Sequence, residues 1–188
     1  MGTSPRCTAQ DIATELLVGV GTRIEHSRAV ANQAATATDL LEEPWGASLA
    51  DAAWLHDLGY APVLAKTGFH PLDGARWLEE QGWRPEVCRL VAWHTRAGTE
   101  AKLRHLEHEL AAEFSPPPEL AQAILAWADL TSSPTGQACT PEDRIAEVLD
   151  RYPSDSTVHR AARSNSSQLI ADARLVETRL RNVKVTDQ

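Results

Sequence analysis

His26, the adjacent pair His56-Asp57, His70, His94 and Asp129 are the residues of this chain whose types could do chemistry together. Imidazole nitrogens and carboxylate oxygens are the donors that a borderline-to-hard divalent metal takes. Five separate segments supply one or two donors each, so a fold that brings them together would bury a metal centre. Neighbouring side chains on a helix point about 100° apart, and only at a terminal turn can His56 and Asp57 converge on one target. A neutral imidazole gives one nitrogen to one ion, whereas a carboxylate can give its two oxygens to two ions, which singles out Asp57 as a bridge.

Elements must then deliver these donors, and the signals along the chain are helical, with no convincing period-two strand. Thr8 to Leu17 reads as a short helix, broken by Gly19-Val20-Gly21. Thr22 with Glu25 predicts a capping box opening a helix to about Leu41, with His26 one turn inside. Pro44-Trp45-Gly46 predicts a turn, and Ser48 an N-cap for a helix ending near Leu58-Gly59 that carries His56 and Asp57 in its last turn. A loop through Lys66 leads to a helix from His70 to about Gln81, and Pro85 opens another that reaches His94. Thr99 to Phe114 reads as one helix stopped by Ser115-Pro116-Pro117-Pro118. Glu119 to Leu130 reads as a buried helix ending in Asp129, Thr140-Pro141 caps a helix to about Tyr152, and a last stretch runs toward Arg181. The expected fold class is all-α, a compact multi-helix bundle with the metal site in its core. It is read as a single domain over residues 1–188, with a core of about 22–131 and a helical extension of about 140–181.

The segments Arg23-Ile24-Glu25-His26, Ala53-Trp54-Leu55-His56-Asp57-Leu58-Gly59-Tyr60, Phe69-His70-Pro71, Val91-Ala92-Trp93-His94-Thr95 and Ala128-Asp129-Leu130-Thr131 resemble, in this order, the HD-domain superfamily, named for its His-Asp doublet. The resemblance implies a first metal held by His26, His56, Asp57 and Asp129, and a second held by His70 and His94 together with Asp57. The two extra histidines point to the dinuclear branch, with divalent ions whose identity among Fe, Mn, Co, Mg and Zn stays open. It also implies a metal-dependent phosphohydrolase acting on a small phosphate ester, nucleotide or dinucleotide through metal-hydroxide attack. Two divalent ions less Asp57, Asp129 and a hydroxide leave about one positive charge, which attracts an anion. Cations beyond the metals are needed for the developing phosphate charge. Arg23, Lys66 and Arg96 are the candidates for catalysis and substrate contact, and Tyr60 for substrate binding. Two rival readings stay open. One is an HD-type diiron oxygenase cleaving a C–P or C–C bond, disfavoured because Tyr60 stands where phosphonate-cleaving members tend to carry another His. The other is a non-catalytic metal-binding regulatory module.

Ordinary readings compete at other positions. His105 and His108 lie among Lys102, Arg104, Glu107 and Glu109 and read as a solvated face, and His159 reads as a surface residue. Thr131 and Ser132 read as caps, and the tryptophans as core or pocket wall, with Trp93 able to face a ligand. The 188 residues are 43% hydrophobic, and 18 Lys and Arg against 26 Asp and Glu give a net charge of −8. That charge disfavours nucleic-acid polymers and anionic lipid, and favours a small anionic substrate. No run approaches the roughly 18 apolar residues of a membrane span, so no membrane partner is expected. With no visible secretory signal and three distant cysteines in no metal-type spacing, a cytoplasmic setting is the default expectation. Oligomeric state does not follow from these residues.

Overall fold

The computed structural model describes residues 7–186, and in them ten α-helices and three short 3₁₀ turns carry the architecture. Among the described residues there is no strand, only an isolated bridge between Ser132 and Ala138. The fold is all-α, as the helical patterning predicts.

α1 (Ala9–Leu16) starts with a capping box: the Asp11 amide donates to Thr8 Oγ1 at 3.1 Å, and the Thr8 amide donates back to Asp11 at 2.9 Å. α2 (Arg23–Ala35) starts at the expected residue, but Thr22 makes no side-chain cap bond. It also stops short of Leu41. Thr36 turns its hydroxyl onto the Gln33 carbonyl at 2.7 Å, and Thr38 onto the Ala35 carbonyl at 3.3 Å. Such hydroxyls compete with the helical ladder, and the chain continues as a 3₁₀ turn, Thr38–Leu40.

α3 (Trp45–Leu55) begins before Ser48, which lies inside the helix and donates to the Pro44 carbonyl at 2.8 Å. His56 and Asp57 follow at its C-terminal edge, before the 3₁₀ turn Leu58–Tyr60. α4 (His70–Glu80) and α5 (Pro85–Trp93) both carry Pro in the first turn, where its missing N–H has no helical partner to lose. The chain pivots after α5 through His94–Arg96, with Thr95 at φ 49° and Arg96 at φ 56°.

The single helix expected over 99–114 is two, α6 (Gly98–Leu103) and α7 (Glu107–Glu113). Between them His105, at φ 61°, takes the left-handed residue of a Schellman closure: the Leu106 amide donates to Ala101 O at 2.9 Å and the His105 amide to Lys102 O at 3.1 Å. A histidine in the place usually held by Gly hides this stop from a sequence reading. α8 (Glu119–Leu130), α9 (Pro141–Arg151) and α10 (Thr157–Thr186) follow, α9 capped by Thr140.

α8 is the interior helix. Every residue from Ala123 to Leu130 is buried, as a sequence apolar nearly all round requires. α2, α3, α5 and α10 pack against it, and α10 also lies on α6 and α9. One close approach sets the geometry of the site. A Cβ on Gly59 would stand 2.0 Å from the His70 carbonyl oxygen and 2.8 Å from the Gly74 nitrogen. Only glycine lets the start of α4 lie directly on the turn after Asp57.

Candidate metal centre

The six candidate ligands meet in one buried cluster. His56 is fully buried, His26, Asp57 and His94 are nearly so, Asp129 sits at the margin and His70 is half-buried. Their facing atoms divide into two groups, His26, His56 and Asp129 in one and Asp57, His70 and His94 in the other; within each, one ligand atom per residue lies within 4.8 Å of the others.

Asp57 stands between the groups. Its Oδ2 is 3.9 Å from His26 Nε2 and 3.6 Å from His56 Nε2, while Oδ1 is 3.6 Å from His70 Nε2. His70 Nε2 is in turn 3.1 Å from His94 Nε2.

Backbone carbonyls orient the rings. His26 Nδ1 lies 3.1 Å from Ser133 O, His56 Nδ1 2.8 Å from Ala53 O, and His94 Nδ1 2.6 Å from Val91 O. A proton donated from each Nδ1 leaves Nε2 as a lone pair aimed at the cluster. His26 Nε2 and His56 Nε2 are buried without a hydrogen-bond partner, an arrangement that is costly unless a proton or a cation answers it. His26 Nε2 and Asp129 Oδ1, 3.0 Å apart, pose the same demand. Donor types, burial and orphaned nitrogens all fit divalent metal.

The electrostatics agree. Burial pushes His56 down to about 4, so its ring is neutral and able to ligate near pH 7. Burial, then the neighbouring His94, hold His70 well below its usual range. Burial would raise the Asp57 carboxyl, but His56 and the Arg23 guanidinium outweigh it and keep it ionised. Asp129 is likewise held low against its burial, chiefly by the close approach of His26. Burial works to lower His26, yet the Asp129 carboxylate wins and raises it. Burial, reinforced by Asp57, keeps the Tyr60 phenol protonated.

An open cavity of about 120 Å³ lies over the cluster. Arg23 and Tyr60 line it. Arg23 pairs with Asp57 Oδ2 and lies over the Tyr60 ring, 3.9 Å from its centre, and that ring stacks on His70 at 3.9 Å. Arg96 reaches the wall, but its guanidinium is clamped to Asp172 of α10 by bonds of 2.7 and 2.8 Å. Lys66 is not brought to the site. Its ammonium is 64% exposed and lies 3.6 Å from Glu80, because Asp73 accepts the 66–68 backbone amides and folds that loop against α4.

Three neighbours of the cluster escape the sequence reading. Thr95 donates to Asp129 Oδ2 at 2.8 Å, from a left-handed backbone unusual for a β-branched residue. Arg144, 8% exposed, brings Nη2 to 3.9 Å from Asp129 Oδ1, and Arg151 follows it seven residues on, on the same face of α9. That i, i+7 spacing was the available signal, lost because α9 stands outside the ordered motifs. Several ordinary readings also change or find their place. His159 is half-buried, its ring Nδ1 3.0 and 3.2 Å from the Leu149 and Tyr152 carbonyls. The Trp93 indole donates to Phe114 O at 2.7 Å and is not part of the cavity lining. Thr131 and Ser132 return their hydroxyls to Trp127 and Ala128 of α8.

The HD domain family model matches residues 23–155, a span that begins three residues before His26 and includes all of α9. The chain belongs to the HD domain family, whose members bind divalent metals and are generally metal-dependent hydrolases. Compared with curated proteins and with solved structures, the chain matches none. No described helix is long and apolar enough to cross a membrane.

Proposed function

We propose that this protein is a dinuclear phosphohydrolase that cleaves a small phosphate ester, a class that includes nucleotides and dinucleotides. The observation that carries the reading is Asp57, whose two carboxylate oxygens face two separate ligand groups. His26, His56 and Asp129 would hold one ion, His70 and His94 the other, and Asp57 would bridge them. Divalent ions bound there lower the pKa of water toward about 7 and so supply a nucleophile near neutral pH.

The protein's own groups then have separate tasks. Arg23 presents a guanidinium between Asp57 and the cavity, where it can take up charge on the equatorial phosphate oxygens. The protonated Tyr60 phenol and the Arg23 plane form one stacked wall over His70, which limits how a substrate can lie. Arg144 adds a second, more deeply buried cation on the Asp129 side. Arg96, fixed to Asp172, acts as a positioning residue: it ties α10 to the turn that carries His94 and Thr95.

Metal analysis of protein purified without added metal tests the dinuclear claim, with two ions per chain expected. A phosphate-release screen over nucleotides, sugar phosphates and simple esters under Mn²⁺, Fe²⁺, Co²⁺ and Mg²⁺ tests the reaction. Oxygen uptake in place of phosphate release would transfer the protein to the oxygenase reading.

A further inference from the structure

Beyond the ligands, the cavity opens into a chamber built largely by the C-terminal helices. Leu130 of α8, Ile145 and Val148 of α9, and Val158, Ala162 and Leu169 of α10 form its wall. Three polar groups on the same side, Arg96, Asn165 and Glu100, are already committed to neighbours. Arg96 is bidentate to Asp172. Asn165 donates to the Arg96 carbonyl at 3.1 Å and accepts from Thr99 at 2.8 Å, and Glu100 accepts from Arg104 at 2.7 Å. Arg144 at the metal end pairs through Nη1 with Glu147 and keeps a buried Nε without a partner. The cavity therefore has a charged end at the ligand cluster, which bound divalent ions would make cationic, and a largely apolar end with the Tyr152 side chain at its edge.

We infer that the substrate is a phosphate monoester of a hydrophobic alcohol or phenol, its phosphoryl group at the ligand cluster beside Arg23 and Arg144 and its compact alkyl or aryl group in the chamber. This narrows the hydrolase reading and rests on it for turnover. Each methylene moved from water into the chamber favours binding by about fourfold. A sugar or nucleoside there would lose hydration without replacement bonds, and a buried polar group left unpaired is penalised.

The test compares ethyl, propyl, butyl, hexyl and phenyl phosphate with glycerol phosphate and ribose phosphate, using the protein with the metal it carries. kcat/KM should rise about three- to fourfold per methylene until the chamber is full, and propyl phosphate should exceed glycerol phosphate by roughly tenfold or more. Ala162→Phe, which fills the wall, and Val148→Thr, which keeps its shape but adds a hydroxyl, should each lower the hexyl-to-ethyl ratio; two variants of different size guard against misfolding of one. Calorimetry with the corresponding alkylphosphonates, which carry no ester bond to hydrolyse, reads the chamber without turnover. Affinity that climbs with chain length while no ester releases phosphate would keep the chamber and sink the hydrolase reading. Phosphate release with glycerol phosphate equal to or better than propyl phosphate, or phosphonate affinity flat with chain length, would overturn the inference and leave the hydrolase standing.

Discussion

Thr95 is the residue through which the turn after α5 reaches the opposite side of the cluster. Its hydroxyl donates to Asp129 Oδ2 and leaves Oδ1 facing His26, so it selects which carboxylate oxygen is presented. Outer partners of this kind typically change metal affinity by about 10- to 100-fold when lost. Thr95→Val keeps the β-branch and the volume and removes only the donor. It should weaken metal binding by that factor, read by competition with a chelator, while the far-ultraviolet circular dichroism stays that of the parent. Unchanged metal affinity would mean that Asp129 is held by α8 alone. The candidate ligands were legible in the sequence as residues that would meet, because imidazole and carboxylate side chains announce their chemistry and their order matches a family. Thr95 was not, because a threonine beside a ligand histidine carries no mark of its left-handed backbone. Lys66 shows how little sequence proximity fixes position: a cation near a motif stands outside the cluster because Asp73 folds its loop against α4.

At the scale of elements, the two ligand groups depend on how α4 meets the turn after α3. Gly59 lies against the first residue of α4, and His70 therefore stands 3.6 Å from Asp57. Gly59→Ala would place a methyl inside the van der Waals radius of a backbone oxygen, and neither backbone can yield without moving α4. Overpacking of this kind costs roughly 1–3 kcal/mol, occasionally more. On the proposed dinuclear reading, the variant should lose an ion at His70 and His94 before one at His26, His56 and Asp129. A metal stoichiometry falling from two toward one, with a lowered melting temperature, is the expected result; two ions at parental affinity would show that α4 can shift without cost. Element positions were largely legible, since α4, α5, α8 and α9 begin or end at Pro and Thr signals whose mechanism is local. The misses were also local. Threonine hydroxyls ended α2 early, and His105 closed α6 in a conformation that its residue type does not advertise.

Across the whole molecule, the chain carries a net charge of −8, yet Arg23, Arg144 and Arg151 gather at one cavity. Asp57 and Glu147 pair with these arginines, so the site becomes cationic only when divalent ions are bound, and it would then draw a small anion while the acidic surface discourages polyanions. The same arrangement couples stability to metal. Asp57 and Asp129 are buried carboxylates, and His26 Nε2 and His56 Nε2 are buried nitrogens without hydrogen-bond partners. Native structure brings these groups together; the unfolded chain scatters them, so cations that bind only the assembled cluster must stabilise it. At a free metal concentration a hundredfold above the dissociation constant, one site contributes about 2.7 kcal/mol. For a chain of this length 1 kcal/mol moves the melting temperature by roughly 2–4 °C, so saturating one site should raise it by roughly 5–10 °C over chelated protein. Scanning calorimetry across a Mn²⁺ titration measures this directly, and His56→Gln, which takes away the most deeply buried ligand, should remove most of the rise. A melting temperature indifferent to both chelator and metal would mean that the buried cluster is satisfied by protons alone, and would take the dinuclear reading with it.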